Sequence, residues 1–168
     1  MMVINKPWFD QILWTYENLS FELSSQKMIK LHSKIMIKNV LITGAAGFLG
    51  SNLSKHYLDK GWKVYGVDDH STSMGPDSLH VQDLKKSKDF VLLNHNIADV
   101  QLEFVNVKMD LVLNFACPAS PPKYQAMSLH TLDTCYQGTK NMLTLAHNFK
   151  CPIVHASTSE IYGDPEIS

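Results

Sequence analysis

From residue 36 onward, short runs of apolar residues alternate with longer segments in which apolar and polar residues are mixed. Short apolar runs predict buried strands, and longer runs with apolar residues three or four apart predict helices. The predicted strands are 38–43, 63–67, 90–93, 110–115 and 152–157. The predicted helices are 48–60, 77–87 and 126–149, with 98–107 as a shorter connection. Strands that alternate with helices favour right-handed crossovers, so we predict an α/β fold with a doubly wound parallel sheet.

Residues 1–35 differ in character from the rest. Apolar residues recur at roughly helical spacing from Trp8 to Leu19, and a tail dotted with lysines follows Ser24-Ser25-Gln26. We expect this segment to be an N-terminal extension, either a short amphipathic helix or a disordered arm. A helix on a membrane surface is disfavoured because the polar face is not rich in lysine or arginine. Residues 36–168 then form the domain.

A glycine-rich turn follows the first predicted strand. The run is Thr43-Gly44-Ala45-Ala46-Gly47-Phe48-Leu49-Gly50, with a predicted helix directly after it. In a dinucleotide-binding turn the first glycine allows the tight turn and the second admits a pyrophosphate. The third lets helix and strand pack closely, and the helix N-terminus faces the phosphates. The pattern therefore predicts a Rossmann-type sheet with a dinucleotide site at Gly44, Gly47, Phe48, Leu49 and Gly50.

Asp68 stands directly at the end of the second predicted strand, after residue 67 and 18 residues beyond Gly50. A carboxylate at that point accepts hydrogen bonds from the adenosine ribose hydroxyls in dinucleotide folds. Asp68 and Asp69 would repel a 2′-phosphate, and no arginine or lysine follows before Lys85. The sequence therefore favours NAD over NADP. The alternative interpretation of Asp68 is that it is a loop carboxylate that binds no ligand.

Composition narrows the class of protein. The chain has 168 residues, 45% of them hydrophobic, and a formal net charge of −1. We expect a globular protein with no nucleic-acid partner and no membrane partner, because no like-charged run marks such a surface and no long apolar run is present. Three cysteines are too few for a disulfide framework, so we expect a cytoplasmic protein with small core or pocket-lining thiols. We predict no metal site.

Two later runs combine a buried strand with a polar exit. Residues 110–115 lead into Ala116-Cys117-Pro118-Ala119-Ser120-Pro121-Pro122, and residues 153–156 lead into Ser157-Thr158-Ser159-Glu160-Ile161-Tyr162-Gly163. Ligands of open parallel sheets lie beyond the carboxyl ends of the strands. Both exits should therefore face the cleft near the nicotinamide end of the cofactor. The simpler reading is that Thr158 and Ser159 only cap a strand.

These motifs resemble the extended short-chain dehydrogenase/reductase superfamily over about residues 36–168, and most of all the UDP-glucuronate decarboxylases, which make UDP-xylose. The resemblance implies catalytic roles for Thr158, Ser159 and Glu160. It implies NAD contacts at Asn96, Ile97, Ala116 and Pro118 in addition to the glycine turn and Asp68 with Asp69. It implies contacts of a UDP-sugar, UDP-glucuronate, with Pro118, Ser120 and Tyr124. Family chemistry implies oxidation at C4, loss of carbon dioxide, and recycling of the same NAD.

The chain departs from the family pattern at several positions. The family's Tyr-x-x-x-Lys pair should follow Thr158; the match at Tyr136 and Lys140 precedes it and belongs to a helix. Asn96 stands in place of a usual aspartate, and its amide oxygen can still accept from adenine. Asn114 and Cys135 replace a frequent histidine and a common asparagine. We also expect the fold to stop before the C-terminal substrate lobe, so that this chain alone is inactive.

Three alternatives stay open at this point. Another nucleotide-sugar enzyme, a 4,6-dehydratase or a 4-epimerase, would share most of these motifs; Ser159 stands where a dehydratase should have an aspartate. A non-catalytic NAD-binding fragment would lack the catalytic base and half of the substrate pocket. By analogy with the superfamily, we expect a homodimer in the full-length protein, with helix 126–149 as a candidate interface.

Overall fold

The computed structural model describes residues 39–72, 75, 77–99 and 107–163. Chain contacts divide the protein at Met36, and all of these residues belong to the second unit, Ile37–Ser168. The predicted extension 1–35 and most of the predicted connection 98–107 lie outside the described residues.

Five parallel strands form one sheet in the order β3-β2-β1-β4-β5. Their bounds are β1 Asn39–Thr43, β2 Lys63–Asp68, β3 Phe90–Asn94, β4 Leu111–Asn114 and β5 Ile153–His155. β1 pairs with β2 on one side and with β4 on the other. The strand order therefore reverses between β1 and β4, which is where open α/β sheets bind their ligands.

Helices connect the strands. Their bounds are α1 Phe48–Asp59, α2 Leu79–Lys85, α3 Pro121–Ala126, α4 Ser128–Asp133 and α5 Thr139–Phe149. A π-helical segment, Thr134–Gly138, joins α4 to α5, and a 3₁₀ turn, Ser159–Tyr162, follows β5. The helices predicted at 48–60 and 77–87 are confirmed.

The helix predicted at 126–149 is wrong in detail. The helical region begins earlier, at Pro121, because Pro121 and Pro122 occupy the first turn, where a missing N–H costs nothing. It breaks at Met127, whose φ of −125° is not helical, and passes through the π segment before α5. The strand predicted at 152–157 is also shorter than expected and ends at His155.

Two apolar clusters hold the sheet between the helices. Alternate residues of β1 point to opposite faces, so Leu41 joins one cluster while Val40 and Ile42 join the other. The Leu41 cluster includes Met142 and Leu145 of α5. Side chains of α1 and α2 pack with the second cluster. Helices therefore cover both faces, and the doubly wound parallel sheet predicted from the sequence is confirmed.

Candidate dinucleotide site

A cavity lies at the carboxyl edge of the sheet, where β1 to β4 end. Its walls come from all four strand exits and from α4 and the π segment. The lining residues are Gly44, Gly47, Val67, Asp68, Asp69, Ser71, Thr72, His95, Asn96, Ile97, Phe115, Ala116, Cys117, Pro118, His130 and Thr134. The cavity therefore occupies the position that the sequence predicts for a dinucleotide.

The glycine turn is built so that only glycine fits at two positions. The backbone of Gly44 has a φ of +69°, which residues with a side chain rarely adopt. An added Cβ would also lie 3.0 Å from the Phe115 carbonyl oxygen. At Gly50 an added Cβ would collide with the Gly44 carbonyl. The start of α1 therefore packs directly on the turn. No side chain caps α1 at Gly47, so the positive end of this helix is available to an anion.

Asp68 fastens the glycine turn to β2. Its Oδ2 accepts the Ala46 N–H at 2.9 Å, and its Oδ1 accepts the His70 N–H at 2.8 Å. The residue is only 8% exposed, yet it lines the cavity. A carboxylate has about four acceptor sites, so these two bonds leave capacity for a ligand hydroxyl. Asp68 thus has a structural role that the sequence analysis did not include.

The exit of β3 is held in place by α5. Asn141 is buried and its Nδ2 donates to the carbonyls of Ile97, Ala98 and Asp99 at 2.9 to 3.2 Å. Asn96 Oδ1, expected to accept from adenine, accepts the Ala98 N–H at 2.9 Å. One oxygen lone pair of Asn96 is therefore used within the loop.

The exit of β4 depends on Thr43, the last residue of β1. Its Oγ1 accepts the N–H groups of Phe115 and Ala116, both at 3.0 Å, and donates to Asn114 Oδ1 at 2.7 Å. Asn114 Nδ2 lies 3.1 Å from His155 Nδ1 on β5. This chain of hydrogen bonds joins three strands and fixes the backbone on which Ala116 lines the cavity.

A polar cluster from the loop after β2 and from α4 forms another part of the wall. His130 Nε2 lies 3.3 Å from Asp69 Oδ2 and 3.1 Å from Ser71 Oγ. The Ser71 N–H also donates to Asp69 Oδ1 at 2.9 Å. The loop after β2 is therefore tied to α4. Sequence reasoning missed His130, although a histidine within the predicted helix region was a visible signal.

The structure brings most of the predicted cofactor residues together. The cavity lining includes Gly44, Gly47, Asp68, Asp69, Asn96, Ile97, Ala116 and Pro118. Three others lie beside the cavity rather than in its wall: Gly50 packs under the turn, and Phe48 and Leu49 are exposed at the start of α1. Their contribution would be through backbone N–H groups at the helix N-terminus.

The predicted substrate and catalytic residues are more scattered. Pro118 lines the cavity, but Ser120 is exposed before α3 and Tyr124 lies on α3 with 38% of its surface exposed. Thr158 is exposed beyond β5, and Ile161 N donates to its carbonyl. For Ser159 and Glu160 the description covers the backbone alone. Tyr136, in the early Tyr-x-x-x-Lys match, is 68% exposed and lies outside the cavity wall.

In the part of the chain that the structure describes, no helix combines the length and the apolar character needed to cross a bilayer. Nor do three or more His, Cys, Asp or Glu side chains of these described residues converge on a point that could hold a metal ion.

Comparison with known proteins assigns the family. The model of the GDP-mannose 4,6 dehydratase family matches residues 41–168, which include every strand and helix described above except the first two residues of β1. The chain belongs to this family. With it the chain belongs to the extended short-chain dehydrogenases/reductases, as the motifs of the glycine turn and the two strand exits predicted.

The chain is similar to curated UDP-glucuronic acid decarboxylases. It is 37% identical to UDP-glucuronic acid decarboxylase 1 of Danio rerio over 139 residues, covering 83% of this chain and 32% of that protein. It is 34% identical to UDP-glucuronic acid decarboxylase 1 of Arabidopsis thaliana, covering 75% of this chain and 27% of that protein. The chain thus spans about a third or less of the length of these relatives.

Solved structures show the same fold. A UDP-glucose-4-epimerase from Stenotrophomonas maltophila, with bound NAD and formylated UDP-arabinopyranose, has a TM-score of 0.64 at 25% identity. The match covers 77% of this chain and 40% of that one. The Bordetella bronchiseptica enzyme WbmH in complex with NAD+ has a TM-score of 0.66 at 25% identity, covering 79% and 43%. Both relatives hold NAD.

Proposed function

We propose that this chain binds NAD in the cavity at the carboxyl edge of the sheet. The observation that carries the proposal is the contact between α1 and the glycine turn. A Cβ at Gly50 would collide with the Gly44 carbonyl, so the helix N-terminus lies directly behind the turn. Its uncapped start suits a pyrophosphate, and Asp68, at the exit of the neighbouring strand, suits the adenosine ribose. The solved relatives with bound NAD support this assignment.

The charge around Asp68 favours NAD over NADP. Asp68 and Asp69 both line the cavity, and His130 is the basic side chain that contacts Asp69. A ribose with free hydroxyls can donate to the Asp68 carboxylate, whereas a 2′-phosphate would bring a second negative charge to two aspartates. NAD should therefore bind more tightly than NADP.

We further propose that the whole protein acts on UDP-glucuronate. When bound, NAD would accept hydride from C4 of the sugar and return it after carbon dioxide has left, which gives UDP-xylose. The curated relatives support this substrate over others. A 4,6-dehydratase is a second candidate, because the matching family model carries that name; Ser159, where a dehydratase should have an aspartate, counts against it. A 4-epimerase is supported by the solved relatives alone.

The proposal for UDP-glucuronate assigns roles to the residues that follow β5. Thr158 would donate a hydrogen bond to the C4 oxygen, and Ser159 and Glu160 would face the ring and its carboxylate. Pro118, Ser120 and Tyr124 would line the sugar from the β4 side. The 168-residue chain has no Tyr-x-x-x-Lys pair after Thr158. We therefore expect the chain by itself to bind NAD without converting UDP-glucuronate.

Calorimetric titration tests the proposed NAD binding, and a turnover assay separately tests whether the chain converts UDP-glucuronate. We expect saturable binding of one NAD per chain and NADP binding at least about tenfold weaker, a difference of about 1.4 kcal/mol. Equal affinity for both would contradict the role of Asp68. The same protein is then mixed with NAD and UDP-glucuronate, and UDP-xylose is measured by chromatography. Product formation by this chain would contradict the proposal of a binding part without turnover.

We also propose that the full-length protein is a cytoplasmic homodimer. The helix region from α4 to α5 exposes the large apolar residues Leu129, Leu132, Tyr136 and Leu143, and exposed apolar patches of this kind favour a protein–protein contact. Sedimentation of the chain and of a Leu132→Glu variant tests the dimer. We expect the substitution to shift the chain to monomer, and a wild-type monomer at all concentrations would contradict this interface.

A further inference from the structure

Two of the three cysteines meet at the wall of the cavity. Cys117 lies in the loop after β4 and Cys135 in the π segment between α4 and α5, and their sulfur atoms are 2.9 Å apart. Both residues are exposed, and neither belongs to the two apolar clusters. The pair therefore adds little to the core, and solvent can reach it.

The surroundings give the two thiols different roles. Partial burial of the Cys117 sulfur, and then the hydrogen bond and charge of Cys135, raise the pKa of Cys117 to about 12. Cys117 therefore keeps its proton at neutral pH, and its thiol also lies 3.7 Å from the Pro118 carbonyl oxygen, to which it donates. An oxidant that needs an attacking sulfur should react first at Cys135.

We propose that Cys117 and Cys135 are a reversible redox site that forms an intramolecular disulfide with a disulfide oxidant such as glutathione disulfide. The Cys135 sulfur attacks the oxidant, whose sulfur–sulfur bond breaks, and one glutathione leaves. Cys135 in the mixed disulfide has no ionisable thiol, which removes one cause of the high pKa of Cys117. Cys117 then loses its proton and displaces the second glutathione. Two thiols are oxidised, one disulfide is reduced, and the two protons end on the two glutathiones.

The disulfide would link two parts of the cavity wall. Cys117 is itself a lining residue between Ala116 and Pro118, and Cys135 follows the lining residue Thr134. The sulfur atoms need to approach by less than 1 Å to reach the bond length of about 2.05 Å. The loop after β4 would then be covalently attached to the helix region opposite it. The chemistry does not depend on NAD, so it can be tested apart from the proposed function.

Thiol counting on the full 168-residue chain tests the proposal. The protein is incubated with glutathione disulfide, freed of it, alkylated, and measured by intact mass and peptide mapping. Of its three cysteines, wild type should lose two reactive thiols and two hydrogens, and dithiothreitol should restore both. Cys151→Ser is the matched control, because Cys151 packs against the core cluster and lies outside the cavity wall. It should lose both of its remaining thiols.

Variants that break the pair complete the test. In Cys135→Ser and in Cys117→Ser we expect no internal disulfide. The substituted positions are exposed, and far-ultraviolet circular dichroism confirms that each variant is folded. Three alkylated thiols in oxidised wild type would overturn the proposal, as would glutathione retained on Cys135 or a mapped disulfide that includes Cys151.

Discussion

The exit of β1 and the exit of β5 lie at the same edge of one sheet, but their surroundings differ. After β1, the Gly44 and Ala45 N–H groups both donate to the Val67 carbonyl, and Asp68 holds Ala46. Within β5, Val154 is 42% exposed, and after the strand Thr158 is exposed. The β1 exit is buried among its neighbours, whereas the β5 exit is on the surface of the described part of the chain.

This difference separates what each exit can do by itself. The residues that line the proposed dinucleotide site come from β1 to β4 and the helices beside them, all within residues 39–149; β5 contributes the contact of His155 with Asn114 behind the wall. The contacts of Thr158 that the proposed chemistry requires are made with substrate. Binding of NAD should therefore be sensitive to changes around the glycine turn and insensitive to changes at Thr158.

The largest expected effect is that of Gly50→Ala. The added methyl group would collide with the Gly44 carbonyl, a backbone atom that cannot move without opening the turn. We expect the free energy of unfolding to fall by about 3 kcal/mol. We also expect NAD affinity to fall at least about tenfold. Urea denaturation and calorimetric titration measure the two effects.

Gly61→Ala is the matched control for that change. A Cβ at Gly61 meets nothing within 4 Å, although φ is +78°. The variant should lose about 1 to 2 kcal/mol of stability from backbone strain and keep wild-type NAD affinity. Equal losses of affinity in both variants would mean that the effect at Gly50 is general destabilisation.

Asp68→Asn should have the next largest effect. The amide offers one oxygen where the carboxylate accepts from two backbone N–H groups, those of Ala46 and His70. We expect a stability loss of about 1 to 3 kcal/mol and a smaller preference for NAD over NADP, measured by titration with each. The same change at Asp83, an exposed residue of α2, is the control. If Asp68→Asn kept the wild-type preference for NAD over NADP, the role of Asp68 would be limited to stabilising the glycine turn.

Thr43→Val tests the wall of the cavity at the β4 exit. Valine has nearly the shape of threonine but cannot accept from Phe115 and Ala116 or donate to Asn114. We expect a stability loss of about 1 to 2 kcal/mol and a modest loss of NAD affinity. Thr43→Ser keeps the hydroxyl and should bind NAD as wild type does. Weaker binding in the serine variant would assign the effect to the missing methyl group.

The smallest effect concerns His56 in α1, away from the cavity wall. Burial, and then the positive charge of Lys60, lower the pKa of His56 below its ordinary value of 6.5. The unfolded chain therefore binds this proton more readily, and stability declines as the pH falls from 6.5 through the folded pKa. As the pH falls through this range, the free energy of unfolding should decrease less in His56→Gln than in wild type. Urea denaturation at several pH values measures both. Identical pH profiles would contradict the shift.

The sequence predicted the strands and the first two helices because their signals are local. Apolar runs between turns defined the strands, and three glycines defined the start of α1. The π segment was not visible, because nothing in its residue types distinguishes it from the flanking helix. The Thr43–Asn114–His155 hydrogen bonds and the Cys117–Cys135 contact were also missed. They join residues 18 to 71 positions apart, and periodicity carries no information on such pairs.

The exits of β1 to β4 are the proposed binding site for NAD. A crystal structure of the chain grown with NAD would show whether NAD occupies it. We expect the pyrophosphate to lie against the Gly44–Gly50 turn at the start of α1 and the adenosine ribose hydroxyls to lie within hydrogen-bond distance of Asp68. NAD bound elsewhere on the chain, or an empty cavity in crystals grown at a saturating concentration of NAD, would contradict the proposal.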